Sequence, residues 1–278
     1  MTSPQLKILR LAFLMLSMSL SAQSMSGRVI DKTNSEPIPY VNVGILNGHR
    51  GTVSNDQGLF NLDLSHLPAD AKLRFSYIGF KSVDLNVAEL ETLELSAFMV
   101  ELEPVVLEMS EVLVFPREYT EQVKGNPHTL KFIQAGFSND SLGYELGVLI
   151  KIKKRPTLVK MLTLHNLMMT YDSVFYRLNV YEMDGDTPGK NVLKQPIYIT
   201  LSKSDVKEDV QIDLNPYHIV VQDDFVISLE YVREQGEGSL VFGAGFLNGR
   251  TFHRKTSQDR WFSDPVGIGM STLIRYQK

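Results

Sequence analysis

Apolar and polar positions alternate with period two through most of this chain, and no stretch repeats its apolar residues at the spacing of a long helix. Strands are therefore expected nearly throughout. Residues 27–31 are a short strand signal, closed by the turn formers Lys32-Thr33-Asn34-Ser35-Glu36-Pro37, and residues 41–45 alternate again until Asn47-Gly48. Thr52-Val53-Ser54 leads into Asn55-Asp56-Gln57-Gly58, a tight hairpin in which Gly58 can take a positive φ. Phe60, Leu62 and Leu64 then face inward between Asn61 and Asp63. Leu73, Phe75 and Tyr77, and after them Val83, Leu85 and Val87, continue as half-buried strands. Leu93 with Leu95, residues 99–102 and residues 105–107 supply the closing strands of a compact sandwich of about seven.

Periodicity lapses over residues 115–128, where Pro116, Gly125, Pro127 and scattered charges predict a linker that allows the two halves to move independently. It resumes with strands expected at 146–152, 159–169, 175–181, 197–201, 210–214, 225–232, 239–246 and 267–276. Eight or so antiparallel strands with polar turns predict a jelly-roll-like β-sandwich over 129–278. Within it, Leu178 and Val180 are expected to pack inward, Pro188-Gly189 to turn the chain, and Ile197 and Ile199 to begin the return strand. The stretch from Tyr176 to Lys190, with Asp184-Gly185-Asp186-Thr187-Pro188-Gly189, resembles a hairpin of secreted jelly-roll modules of the carbohydrate-binding and adhesion kind.

The N-terminus breaks the strand pattern. Lys7 and Arg10 precede an apolar run over residues 11–20 and the small residues Ser21-Ala22, the order of a secretory signal peptide cut near Ala22-Gln23. That run is too short for a permanent membrane span, and no later segment is apolar enough for one. The expected location is therefore exported: periplasm, outer-membrane surface or extracellular. With no cysteine among 278 residues, disulfides and thiolate metal sites are excluded, and stability must come from sheet packing. The net charge of −4 is mild, so no nucleic-acid or strongly anionic partner is implied.

Gly27-Arg28-Val29, the turn and strand over 37–43, Gly51-Thr52 ahead of Asp56-Gln57-Gly58-Leu59-Phe60, and Phe75-Ser76-Tyr77-Ile78-Gly79-Phe80 together resemble the carboxypeptidase regulatory-like domain. The resemblance covers roughly residues 25–114 and implies a small prealbumin-type β-sandwich, common in secreted and outer-membrane proteins of the Bacteroidetes type. Glu111-Val112-Leu113-Val114 resembles the segment that leads from this domain toward the plug in TonB-dependent receptors. The likeness implies a scaffold and no activity. Peptidase zinc chemistry needs His and Glu at close helical spacing, and none of the six His is followed by Glu at the third position. The fold class expected is all-β: signal peptide 1–22, a prealbumin-like carboxypeptidase regulatory-like sandwich 23–114, a linker 115–128, and a jelly-roll-like sandwich 129–278.

Candidate chemistry is sparse. Asp184 and Asp186 flank a glycine and offer hard oxygens to calcium, but the further ligands of an EF-hand are missing and an ordinary acidic turn is the plainer reading. Lys151, Lys153, Lys154, Arg155 and Lys160 either dock an anionic glycan or lipopolysaccharide headgroup or, the reading the sequence favours, form a solvated strand face that protects an edge. Trp261, the only tryptophan, sits near His253 and Arg254, an aromatic and polar set that can stack on a sugar and bond its hydroxyls; the competing role is to pin a long loop over 250–262. No Gly-x-Ser-x-Gly elbow and no Gly-rich phosphate loop are present. The expectation is a protein that is not an enzyme and has no cofactor or metal, a binding or assembly protein whose partner is a cell-envelope protein or a surface glycan. The alternatives are a carbohydrate-binding module of a glycan-utilisation system and an accessory protein of a carboxypeptidase or other hydrolase.

Overall fold

Seven strands form from residues 24–105: β1 (Ser24–Asp31), β2 (Asn42–Ile45), β3 (Gly51–Val53), β4 (Leu59–Asp63), β5 (Lys72–Ser76), β6 (Val83–Asn86) and β7 (Phe98–Leu102). The computed structural model describes residues 24–90, 97–105, 118–127, 130–138 and 141–277. The expected signal peptide, the strand at Leu93 and Leu95, and residues 106–107 and 111–114 lie outside the described residues. One sheet runs β4-β1-β7, with β1 parallel to β7, and the other β3-β2-β5-β6. Between them Val29, Val43, Leu73, Phe75 and Leu102 are fully buried, with Phe60 edge-on to Phe75 at 5.3 Å. Val87 does not extend β6. It opens the one-turn helix α1 (Val87–Leu90), which places Val87 and Leu90, three apart, on one buried face against the same core.

The remaining strands are β8 (Tyr119–Gly125), β9 (Leu130–Ser138), β10 (Glu145–Ile150), β11 (Thr157–His165), β12 (Met168–Met169), β13 (Ser173–Asp184), β14 (Thr187–Asn191), β15 (Ile197–Ser202), β16 (Asp209–Asp213), β17 (Ile219–Val221), β18 (Phe225–Tyr231), β19 (Ser239–Arg254), β20 (Phe262–Ile268) and β21 (Met270–Gln277). The larger sheet is ordered β12-β19-β10-β18-β13-β14, with β15 on β13 and both β9 and β20 on β19. The smaller one is β16-β11-β21-β8, with β17 on β11. Leu178, Val180, Ile227 and Phe242 of the first pack on Val159, Leu162, Leu164 and Met270 of the second, all fully buried. The described chain is all-β but for α1 and a 3-10 turn at Asn215–Tyr217.

Three local expectations differ from what forms. Residues 119–125, in the stretch expected to be a linker, are strand β8, paired with β21 from Gly125↔Ser271 to Tyr119↔Gln277. As an edge strand with largely exposed side chains, β8 carries no apolar alternation to announce itself. The hairpin after β13 turns at Gly185 and Asp186, where Gly185 adopts φ 59°, and Pro188 and Gly189 lie inside β14. The expected 250–262 loop is shortened at both ends to residues 255–261: β19 continues to Arg254 past an irregularity between Phe246 and Thr251, and β20 begins at Phe262. That irregularity shifts the register, so the alternation visible up to Phe246 does not carry across it.

Candidate functional site

Alternation on the central strands of the larger sheet produces an unusual second face. On β18, Phe225, Ile227 and Leu229 enter the core while Val226, Ser228 and Glu230 take the opposite face, yet every residue of β18 is buried. The same holds for Arg177 and Asn179 on β13 and Glu145 on β10. Register places four charges in one row across the strands, Arg177↔Glu230↔Glu145↔Arg254. Two carboxylates sit opposite one another in the middle, a destabilising pair in isolation, and an arginine flanks each. Arg177 Nη2 donates to Glu230 Oε2 at 2.7 Å, and Arg254 Nη2 to Glu145 Oε2 at 2.6 Å. Asn179 bridges the acids, donating to Glu145 Oε1 at 2.9 Å and Glu230 Oε2 at 2.8 Å.

The smaller sandwich covers this row. Arg177 Nη1 donates to the Tyr40 carbonyl at 2.6 Å and Nη2 donates to Asn42 Oδ1, so one guanidinium ties both halves of the chain together. Around it Tyr40 and Val53 pack against Val232, Phe175 and Tyr198, with Tyr198 stacked on Phe175 at 4.9 Å. The Tyr77 and Tyr198 hydroxyls meet at 3.0 Å. On the other flank the turn over 255–258 reaches across: Asn47 N–H donates to the Gln258 carbonyl at 2.9 Å and Gln258 Nε2 to Ser76 Oγ at 2.7 Å. His49 lies 3.2 Å from the buried carboxylate of Asp259. These contacts form a continuous seam, so the independent movement that a flexible linker allows is not what the geometry favours. A groove of about 940 Å³ opens along it, between Arg28, Leu59 and Met99 on one side and Leu142, Val232 and Arg233 on the other.

The environment displaces the two carboxyls in opposite directions from their ordinary value. Burial lifts the Glu145 carboxyl above its ordinary value despite Arg254, and the Glu230 charge beside it pushes the same way. Burial also pushes Glu230 upward, but Arg177, Arg254 and the donors on Arg177 and Asn179 outweigh it and hold this carboxyl below its ordinary value. Glu230 therefore contributes stability that is present above the unfolded glutamate value and is lost as pH falls through the depressed folded value; Glu145 imposes a cost at neutral pH that fades as pH falls through its raised value. Glu230→Gln is expected to cost roughly 1.5–3 kcal/mol near neutrality through the lost charged hydrogen bonds. Urea midpoints measured against pH would show the gap between wild type and variant closing as the solution becomes strongly acidic; a gap independent of pH would contradict this assignment.

The sequence-derived site residues are scattered among these contacts. The Arg254 guanidinium is inside the charge row and 4.9 Å from the Trp261 ring. Trp261 is half-buried, edge-on to Tyr181 at 5.5 Å. His253 pairs with Asp264 at 3.2 Å and stacks on Phe262, which has His49 on it as well. Asp186 is 3.6 Å from Arg250, and among the described residues no group of three or more His, Cys, Asp or Glu could hold a metal. Sequence reasoning did not single out Arg177, Asn179, Glu145 or Glu230. The one available signal was the charge-bearing alternate positions of Tyr176-Arg177-Leu178-Asn179 and Ile227-Ser228-Leu229-Glu230, which read equally well as a solvated face.

Among solved structures the chain is similar to the major pilin subunit of Bacillus cereus, with 10% identity over 88% of this chain and 69% of that one and a TM-score of 0.19. It is also similar to the infectious bursal disease virus VP2 subviral particle, with 10% identity over 91% of this chain and 62% of that one and a TM-score of 0.23. TM-scores this low establish no common fold. No curated protein matches the chain. Residues 25–114, about a third of the chain, match the family model of the CarboxypepD_reg-like domain, and the smaller sandwich is formed from this part of the chain.

Proposed function

We propose that this protein is an exported, non-catalytic binding or assembly component of the cell envelope, in which the seam locks the CarboxypepD_reg-like sandwich onto the larger one as a single rigid body. The observation that carries the non-catalytic, locked-together reading is the charge row: Glu145 and Glu230 are fully buried and bound to Arg254 and Arg177, which withholds both acids from proton transfer to a substrate, and Arg177 carries the row across to the Tyr40 carbonyl and Asn42 of the smaller sandwich. The order of charges, apolar run and small residues before Gln23 supports export. Among the described residues no helix is long and apolar enough to cross a membrane. The test is fractionation of the native host with mass spectrometry of the purified chain. An envelope or extracellular product beginning near Gln23 is expected, and a cytoplasmic product that retains residues 1–22 would overturn the reading.

A second reading, a carbohydrate-binding module, rests on Trp261, whose indole is only half-buried. Arg254 lies behind the indole, 7% exposed, with its guanidinium against Glu145 and the Trp261 ring. Saturable binding to a member of a glycan panel, abolished by Trp261→Ala, is the result this reading requires; silence across the panel removes it.

A further inference from the structure

A second concave site lies at one open end of the larger sandwich, beyond the end of β10 opposite to Glu145. It is a cavity of about 230 Å³ lined by Gln122 and Lys124 of β8, by Lys151, Lys153 and Arg155 from the connection between β10 and β11, and by Tyr276 of β21 among others. Register explains how strand residues come to face it. Gln122 pairs with Ile274, which pairs with Val159, and Lys124 pairs with Thr272, which pairs with Leu162. Val159 and Leu162 are core residues, so Gln122 and Lys124 are on the inward face of edge strand β8. The intervening Glu121 is on the outer face, where Lys160 at 2.6 Å and Arg275 at 2.7 Å use its carboxylate. The two faces of β8 are thus sorted by charge.

Cations collect at this cavity without acids. Four basic residues line it and no carboxylate does. Lys154 turns to Asp223 at 3.1 Å and is not among the lining residues, whereas Lys124, Lys151 and Lys153 have no carboxylate partner among the described residues. An inward lysine on an edge strand is a familiar guard against edge-to-edge pairing. That role covers Lys124 but not Lys151, Lys153 and Arg155, which are on no strand.

The connection that carries them is held in place. Ile152 N–H donates to Asp224 Oδ1 at 2.7 Å, Arg155 N–H to the Gln222 carbonyl at 2.9 Å, and Arg155 Nη1 to the Gln277 carbonyl at 2.8 Å, with its guanidinium 4.0 Å from the Tyr276 ring centroid. Mutually repelling cations gathered around one hollow, with the backbone between them held at Ile152 and Arg155, form a site that an anion relieves. Lysine serves as a point charge toward phosphate, and Arg155 spends one of its five donors on the backbone. The volume is below the roughly 300–1,000 Å³ of pockets that enclose a whole drug-sized ligand, so it suits a single anionic group.

We propose that this cavity binds a phosphate-type oxyanion, as the free ion or as the phosphate of a larger headgroup. The site does not depend on the envelope reading, since it stands or falls in vitro in any compartment. The test uses the full chain at low ionic strength: calorimetric titration with inorganic phosphate, and flotation with phosphatidylcholine vesicles with and without phosphatidic acid. Saturable phosphate binding identifies the free ion as a source; flotation with phosphatidic acid alone identifies a headgroup. In either case the triple variant Lys124→Gln, Lys151→Gln, Lys153→Gln should weaken binding at least about a thousandfold, from roughly tenfold or more for each of the three charged hydrogen bonds. Replacing the same three by Arg should retain binding and guard against a folding artefact. The control Lys72→Gln, Lys190→Gln, Lys203→Gln removes the same charge elsewhere and should bind as wild type. No saturable binding to either probe, or an equal loss in both triple variants, would overturn the proposal.

Discussion

Arg177→Ala is expected to destabilise the protein by about 3–5 kcal/mol, the usual cost of removing one partner from a buried ion pair. Arg177 is 2% exposed and its side chain supplies the hydrogen bonds that reach Glu230, the Tyr40 carbonyl and Asn42. Without it the Glu230 carboxylate stays buried, with Arg254 at 3.7 Å from Oε1 and the Asn179 amide as its remaining attractive contacts. Two acceptors of the smaller sandwich lose their donor at the same time, which adds desolvation cost on the other side of the seam. Equilibrium urea denaturation provides the number. The double variant Arg177→Met, Glu230→Leu should recover part of the loss, because an apolar pair of similar volume removes the stranded charge. Recovery should remain incomplete, since Tyr40 and Asn42 still lack a donor. A loss under about 1 kcal/mol in Arg177→Ala would show that water reaches the row, and the rigid-seam description would fail.

Gly44→Val should open the opposite flank of the same seam. A Cβ on Gly44 would overlap the Ser257 carbonyl oxygen and come within 3.2 Å of Gln258 Cβ. Its cross-strand neighbour Gly51 is equally tight, with Thr256 Oγ1 3.0 Å from where its Cβ would be. The β2–β3 hairpin therefore lies flat against the 255–258 turn because neither strand carries a side chain there. The obstacle is backbone, which a rotamer change cannot relieve, so the cost expected is at the upper end of the ~1–3 kcal/mol of overpacking. Displacing the turn also breaks the bond from Asn47 N–H to the Gln258 carbonyl. Amide exchange at Asn47 should accelerate while exchange at Ile227, in the centre of β18, changes far less. Unchanged stability together with unchanged Asn47 protection would mean that the two sandwiches are not in contact at this point.

The alternation of apolar residues is a local property, and it determined what local physics can determine. Phe60, Leu62, Leu73 and Phe75 in the smaller sandwich, and Leu178, Val180, Ile197 and Ile199 in the larger, are buried as their spacing requires. The strand class follows from the same period, and the turn at Gly58 follows from a residue free to adopt φ 71°. Where side chains on an exposed edge carry no apolar signal, as in Tyr119–Gly125, the strand was illegible, because its stability comes from pairing with Met270–Gln277 far along the chain.

The polar half of the alternation is where sequence stops. Arg177, Asn179, Ser228 and Glu230 occupy positions that face water in an ordinary antiparallel sandwich, and nothing nearby in the chain distinguishes them from the exposed Asn61 and Asp63. Only the tertiary structure decides that a second sandwich lies over the first set. The charge row joins residues 145, 177, 230 and 254, and the partners that seal it, Tyr40 and Asn42, are more than a hundred residues from Arg177. Likewise the basic cluster was visible in sequence, but Lys124 and the inward face of β8 that complete its cavity were not. Periodicity records which side of a strand is apolar. Whether the other side meets water or a partner depends on long-range packing, which leaves no trace in residue spacing.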